Sequence, residues 1–164
     1  MAFHCTDGGK DHEGLPDLGM HAPDPYLAVP EDERPERTFF TEDRCTVRDE
    51  DGTEHYFVRG VLYIPIHGQD DPYGLGLWVS QSRANYERFR RNEVMDGPTF
   101  GWLVNRIKHY QRDTFLLKTA VHFNGGNVRP TIELEPSDHP LAVEQRTGIS
   151  LARAWQIVHR YLPN

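Results

Sequence analysis

A tight turn, Asn124-Gly125-Gly126-Asn127, sets the strongest limit on the architecture of this chain, because it separates two segments of alternating polarity. In both segments, residues 115–123 and 128–135, apolar and polar side chains follow a two-residue period. Adjacent glycines in such a context are typical of a β-hairpin, since the turn requires positive φ angles. The pattern predicts two paired strands with one apolar face and one polar face.

The same alternation predicts how the two strands are paired. A two-residue turn at the centre of the motif places His122 opposite Arg129 and Lys118 opposite Glu133. The apolar side chains of both strands then share the other face, and a shift of one residue would destroy that agreement. Pro130 cannot donate a hydrogen bond to a neighbouring strand, which predicts that its strand lies at a sheet edge or begins late.

A second hairpin signal is Asp51-Gly52, which separates the strand-like residues 44–48 from residues 55–66. Pairing through a two-residue turn places Cys45 opposite Val58. Val58 belongs to the apolar set of its strand, so this register predicts that the Cys45 thiol points into the core on the same face.

Other segments complete the fold class. A third strand is predicted over residues 74–80, and helices are predicted over residues 80–92, 139–147 and 150–162. Residues 100–107 form a short apolar run, for which a helix packed on the sheet is one interpretation. The sequence therefore predicts an α+β fold, with a mainly antiparallel β-sheet, helices packed on one face and an irregular N-terminal arm.

The length suits a single domain, residues 1–164. Residues 1–36 are acidic and rich in proline and glycine, which predicts an irregular arm, because proline blocks regular hydrogen bonding. Scattered apolar residues in this arm indicate that it lies over the body of the domain, residues 37–164.

Composition excludes several classes of protein. The net charge of -7 argues against binding to nucleic acid, which needs a clustered basic surface. The chain has no apolar run of the roughly 20 residues that span a membrane. Its N-terminal residues lack the cationic and apolar regions of a secretion signal, and only two cysteines are present. These features predict a cytoplasmic protein.

Cys5 and His12 frame a short segment that resembles one half of a metal-binding knuckle. A complete knuckle would have a second cysteine at position 8, where this chain has Gly8. A structural zinc site uses four Cys or His ligands. We therefore predict that no cofactor is bound, with zinc at Cys5 and His12 as the alternative.

The polar face of the second hairpin is the main candidate for binding, through Lys118, His122, Arg129 and Glu133. Neighbouring cations and carboxylates can perturb each other's pKa and form a catalytic pair. They can equally be ordinary cross-strand pairs on a solvated sheet face.

Two further features have both a structural and a functional interpretation. Trp78 is an interface anchor if its face of the sheet is uncovered, and a core residue if the arm or a helix covers it. Arg83, Arg88, Arg90 and Arg91 gather in one helix, either as a solvated helix face or as a patch for an acidic partner.

Several motifs occur in an order that resembles the bacterial DUF2199 family: HEGLPDLG, APDPY, FVRGVLYIPI, GLWVSQS, FGWL and RPTIELEPSDHPLAVEQRTGIS. The resemblance covers nearly the whole chain and implies a small standalone protein, with no activity to carry over. Relatives often begin with Cys-x-x-Cys-Gly and a nearby histidine. Cys5, Gly9 and His12 match that pattern, whereas Gly8 departs from it.

The sequence contains no recognisable nucleophile motif or phosphate-binding glycine loop. It therefore favours a non-catalytic module that binds a protein partner or has a regulatory role, with Trp78, Lys118, His122, Arg129 and Glu133 as candidate binding residues. The alternative is a small enzyme, which would use either a metal held by Cys5 and His12 or the group formed by Lys118, His122 and Glu133.

Overall fold

The computed structural model describes residues 18–161, together with the backbone of two short strands at residues 3–5 and 10–12. The strands are β1 (Phe3–Cys5), β2 (Lys10–His12), β3 (Leu18–Gly19), β4 (Thr38–Phe40), β5 (Arg44–Arg48), β6 (Glu54–Ile64), β7 (Tyr73–Gln81), β8 (Thr99–Trp102), β9 (Lys118–His122) and β10 (Thr131–Leu134). The helices are α1 (Asp24–Leu27), α2 (Arg34–Arg37), α3 (Arg83–Arg90), α4 (Pro140–Thr147) and α5 (Leu151–Tyr161). The α+β class is confirmed.

The main sheet is mixed and follows the strand order β3-β7-β6-β10-β9-β8, with β5 and β4 attached to β6. Two pairings are parallel, β3 with β7 and β10 with β6. After β8, a bridge between Leu103 and Val79 brings the chain back to β7, and the Val104 N–H donates to Trp78 O at 3.0 Å. This end of the sheet therefore curls back on itself.

The first hairpin differs from the predicted register by one residue. Asp49 pairs with Thr53 around a three-residue loop in which Gly52 has a φ of 90°, a conformation that favours glycine. Cys45 consequently lies opposite Phe57 rather than Val58. A one-residue shift exchanges the two faces of a strand, so the prediction that Cys45 shares a face with Val58 is wrong.

The second hairpin differs from the predicted register by two residues. His122 lies opposite Thr131 instead of Arg129, and Glu133 lies opposite Ala120 instead of Lys118. The Pro130 carbonyl accepts a hydrogen bond from β6, and β10 begins only after it. The late start is confirmed, whereas the edge position is not, because β10 lies between β6 and β9. A shift of two residues preserves the faces, and those were predicted correctly.

Two apolar clusters occupy opposite faces of the sheet. The larger cluster contains Val58, Leu62 and Ile64 of β6, and the buried side chains of α3, α4 and α5 belong to it. The smaller cluster contains Val29, Cys45, Val47, Phe57, Trp78 and Val104. Alternation along β6 and β7 explains the division, because Phe57 and Trp78 point away from their apolar neighbours in sequence.

The N-terminal arm covers the smaller cluster, since Met20 and Tyr26 pack against it. The arm is less irregular than predicted. Pro25 and Pro35 stand in the first turns of α1 and α2, where the missing N–H removes no helical hydrogen bond. Proline therefore starts these short helices instead of preventing them.

Residues 99–102 form a strand, which corrects the interpretation of the run at 100–107 as a helix. Gly101 allows this strand to pass close to β7, because a Cβ atom there would lie 2.5 Å from Ser80 O. The helices predicted near the C-terminus are confirmed as α4 and α5. Gly148, with a φ of 83°, ends α4 and permits the sharp change of direction between them.

Burial has a chemical consequence for Cys45. It raises the pKa of the Cys45 thiol to about 12, and the thiolate is the reactive form of cysteine. In a Cys5→Ser variant, we expect the remaining thiol to react with a colorimetric thiol reagent at pH 8 at least about 100-fold more slowly in buffer than in guanidinium. Equal rates in the two conditions would show that the thiol is accessible in the folded protein.

Candidate functional site

Side chains from three adjacent strands project from the solvated side of the sheet next to α4. Residues directly opposite each other in β8, β9 and β10 share a face, as do alternate residues along each strand. We use the name outer face for the following six residues: Phe100, Trp102, Lys118, His122, Thr131 and Glu133.

An aromatic pair dominates one side of the outer face. Phe100 is 49% exposed and Trp102 is 39% exposed, and their ring centroids are 4.9 Å apart in an edge-to-face arrangement. Phe100 lies opposite Ala120, whereas Trp102 lies opposite Lys118. An exposed aromatic pair with a lysine beside it combines apolar area with a positive charge on one surface.

The backbone that carries this pair is firmly held. The Trp102 N–H donates to Ser80 Oγ at 2.9 Å, and the Gly101 carbonyl accepts from Thr119 Oγ1 at 2.8 Å. The Phe100 carbonyl accepts a hydrogen bond from the Gln81 side chain at 3.2 Å. The two rings are therefore presented on a rigid strand, which lowers the entropy that would be lost on binding.

His122 and Glu133 form the polar side of the outer face. The distance from His122 Nε2 to Glu133 Oε2 is 3.4 Å, and the two side chains are 40% and 67% exposed. Within residues 18–161, neither side chain makes another hydrogen bond. The pair is a diagonal cross-strand contact, of a kind that contributes roughly 0.2–1 kcal/mol.

A groove of about 360 Å³ borders this pair. It lies between β10, the end of β6 and α4, where two parallel strands separate. His122 and Glu133 are among its lining residues, together with Tyr63, Gln145 and Arg146. Crevices at the carboxyl ends of parallel strands are common positions for ligands.

The carboxamide of Gln145 forms hydrogen bonds with the backbone of β10 of the kind that a neighbouring strand would form. Its Oε1 accepts from the Leu134 N–H at 2.8 Å, and its Nε2 donates to Ile132 O at 3.0 Å. One side chain therefore pairs the Leu134 N–H and the Ile132 carbonyl at the point where β6 has turned away.

The structure places three of the predicted binding residues of the second hairpin on one face and the fourth in a different place. Lys118, His122 and Glu133 share the outer face, in agreement with the period of the hairpin. Arg129 lies in the loop before β10, where its Nε donates to Asp43 Oδ1 at 2.9 Å. It does not line the groove beside His122.

Trp78 is fully buried, with 0% of its surface exposed. Its Nε1–H donates to Met20 O at 3.0 Å, and its backbone N–H donates to Asn105 Oδ1 at 2.8 Å. The arm covers its face of the sheet, so Trp78 is a core residue, and its assignment as an interface anchor is corrected. Phe100 was not among the predicted binding residues, yet its ring is exposed on the sheet. The sequence did contain an indication of this, because two aromatic residues on either side of a single glycine lie on the same face if the segment is a strand.

The candidate metal ligands Cys5 and His12 have side chains outside the described part of the structure. The backbone register pairs Cys5 with Lys10 and His12 with Phe3. Within residues 18–161, no group of three or more His, Cys, Asp or Glu side chains is arranged to hold a metal ion. The prediction that no cofactor is bound and its alternative, zinc at Cys5 and His12, both stay predictions. Among the helices that the structure describes, none combines the length and apolar character needed to cross a bilayer.

Comparison with curated proteins finds no match, and comparison with solved structures finds none either. A family model described as "Uncharacterized protein conserved in bacteria (DUF2199)" matches residues 4–149. This range includes all strands of the main sheet as well as α1 to α4. Because the match covers most of the sequence, the chain belongs to the DUF2199 family, as the order of its motifs predicted.

Proposed function

We propose that this protein is a non-catalytic, cytoplasmic module that binds another protein through its outer face. The observation that carries the proposal is the exposed pair Phe100 and Trp102 on a rigid strand. Aromatic side chains of this type account for much of the binding energy at protein interfaces, provided that the partner removes them from water.

The chemistry of the outer face indicates what the partner presents. Ala120 leaves space beside Phe100 for an apolar side chain, and Lys118 beside Trp102 offers a charge to a carboxylate. His122 and Glu133 supply the polar rim that surrounds the apolar centre of most interfaces. The partner is therefore a protein segment with an apolar side chain close to an acidic one.

A different protein fits this surface better than a second copy or a nucleic acid. The chain has a net charge of -7, so two copies repel each other at long range, and a phosphate backbone is repelled in the same way. A catalytic role for His122 would require a group that orients its ring and a reacting group within reach. Glu133 could orient the ring, but among the described residues no hydrogen bond joins His122 to a hydroxyl or thiol that could react.

The proposal is tested with variants of the purified protein. A tagged wild-type chain is cross-linked to its partner in a bacterial lysate, and the recovered protein is identified, purified and titrated against each variant. We expect Trp102→Ala to weaken the measured Kd about 30-fold, which corresponds to a hot-spot loss of about 2 kcal/mol. Lys118→Glu should also weaken it, and by more at low salt.

Val94→Ala is the matched control, because Val94 is 67% exposed and lies outside the outer face. It should leave the Kd unchanged, and all variants should unfold within about 4 °C of the wild type, so that the folded state is intact in the binding measurements. The proposal is wrong if Trp102→Ala and Lys118→Glu bind the recovered protein as tightly as the wild type does.

A further inference from the structure

Three arginines at the end of α3 and directly after it are paired with glutamates close to them in sequence. Arg90 Nε lies 2.8 Å from Glu87 Oε2, and Arg91 lies 2.9 Å from Glu93, which also approaches Arg88. These contacts favour the solvated-face interpretation for most of the helix. At its C-terminal end, however, Arg90 lines a cleft together with Arg44 and Arg129 from two other parts of the chain.

A cleft of about 160 Å³ lies at this end of α3. Its walls come from the end of the helix, the start of β5 and the loop between β9 and β10. Its polar lining consists of Asp43, Arg44, Arg90, Asn92, Asn127 and Arg129. Three guanidinium groups from three separate segments therefore border one small volume.

The charges around the cleft do not cancel. Arg129 is paired with Asp43 at 2.9 Å, and Arg90 is paired with Glu87. Arg44 has no carboxylate within 4.0 Å among the described residues, and its guanidinium lies 5.3 Å from the ring centre of Phe39. A site with three guanidinium and two carboxylate groups retains positive charge, on a protein whose overall charge is negative.

Two asparagines, Asn92 and Asn127, line the cleft and are hydrogen-bonded to each other. Asn92 and Asn127 both have a φ of 60°, in the left-handed region that few residues other than glycine and asparagine occupy. Asn92 Oδ1 accepts a hydrogen bond from the Asn127 N–H at 2.9 Å, which ties the hairpin loop to the end of α3. The oxygen of the Asn92 carboxamide is therefore engaged, while its NH₂ group is left as a donor.

We propose that this cleft binds a phosphate group, either free or as a small phosphomonoester. Guanidinium groups match the geometry of phosphate oxygens and form charge-assisted hydrogen bonds with them. The volume is suitable for a phosphate group. A water molecule takes up about 30 Å³ in the liquid, so 160 Å³ corresponds to about five water molecules, and a phosphate group has five heavy atoms. The cleft is independent of the outer face, and neither proposal requires the other.

The experiment is an NMR titration of the ¹⁵N-labelled protein with inorganic phosphate, in which chloride is replaced so that ionic strength stays constant. We expect saturable shifts of the Asn92 and Asn127 amide signals. Arg44→Gln and Arg129→Gln should each weaken binding about tenfold, as expected for the loss of one charge-assisted hydrogen bond. Arg91→Gln is the matched control, because Arg91 belongs to the same arginine cluster but does not line the cleft. It should leave the affinity unchanged.

A second arm repeats the titration with O-phosphoserine. Tighter binding than that of inorganic phosphate identifies a phosphomonoester as the ligand, and weaker binding identifies free phosphate. The proposal is overturned if neither anion causes saturable shifts at Asn92 and Asn127, or if Arg91→Gln weakens binding as much as Arg44→Gln does. Each variant is first checked for an unchanged spectrum away from the cleft, and Arg129→Lys, which keeps the charge, should bind more tightly than Arg129→Gln.

Discussion

Replacing Trp78 by alanine should lower the free energy of unfolding by about 3–5 kcal/mol, the range for removing a buried aromatic side chain. Trp78 is 0% exposed and lies at the centre of the cluster that joins the arm to the sheet. The substitution removes the ring contact with Phe40 and the packing of the indole within this cluster, and it leaves Met20 O without the indole donor. Leaving this partly buried carbonyl unpaired adds to the cost of the cavity.

Trp102→Ala is the matched control, because it makes the same change at a tryptophan that is 39% exposed. We expect it to cost less than about 1 kcal/mol, since surface substitutions away from special features have small effects. Urea denaturation followed by circular dichroism measures both variants. Equal losses would contradict the assignment of Trp78 to the core and of Trp102 to the surface.

Asn105→Asp should be the second large effect, with a loss of about 3 kcal/mol or more at pH 8. Asn105 is 1% exposed, and its NH₂ group donates to Ala22 O at 2.9 Å and Asp24 Oδ1 at 3.3 Å. The substitution replaces this donor by a second oxygen, which then faces a carbonyl and a carboxylate. One oxygen of the introduced carboxyl group can still accept from the Trp78 N–H, but the other oxygen loses hydration without gaining a donor.

The pH dependence of this loss follows from the same contacts. Burial and the nearby carboxylate raise the pKa of the introduced carboxyl group in the folded state. The unfolded state ionises first as the pH rises above about 4, so the destabilisation should be smaller at pH 4 than at pH 8. Asn85→Asp, in the first turn of α3, is the control and should be neutral or slightly stabilising. If Asn105→Asp costs no more than Asn85→Asp, Asn105 does not join the arm to the sheet.

The side-chain faces of the second hairpin could be predicted from the sequence, because a two-residue period survives a shift of two residues. The exact pairing could not, because it depends on how Pro130 and the three residues with positive φ before it shape the loop. At the first hairpin, the length of the loop was also wrongly predicted, and the error changed which face each side chain occupies. A three-residue loop replaced a two-residue one, and Cys45 moved to the opposite face of the sheet.

The candidate site was predictable to a similar degree. Lys118, His122 and Glu133 share the outer face because their positions follow from alternation alone. The burial of Trp78 depends on Met20, which is 58 residues away in sequence, and no local pattern carries that information. Phe100 was missed because a run of eight apolar and polar residues fits a helix and a strand equally well.

Site-specific photo-cross-linking tests most directly whether the outer face is the binding surface. The photoreactive amino acid p-benzoylphenylalanine would replace Phe100 in one variant and Phe39 in another, because the two side chains are 49% and 47% exposed but lie in different parts of the sheet. Irradiation of cells should yield one discrete covalent adduct with a second protein from position 100 and none from position 39. A discrete adduct from position 39 together with none from position 100 would contradict the account.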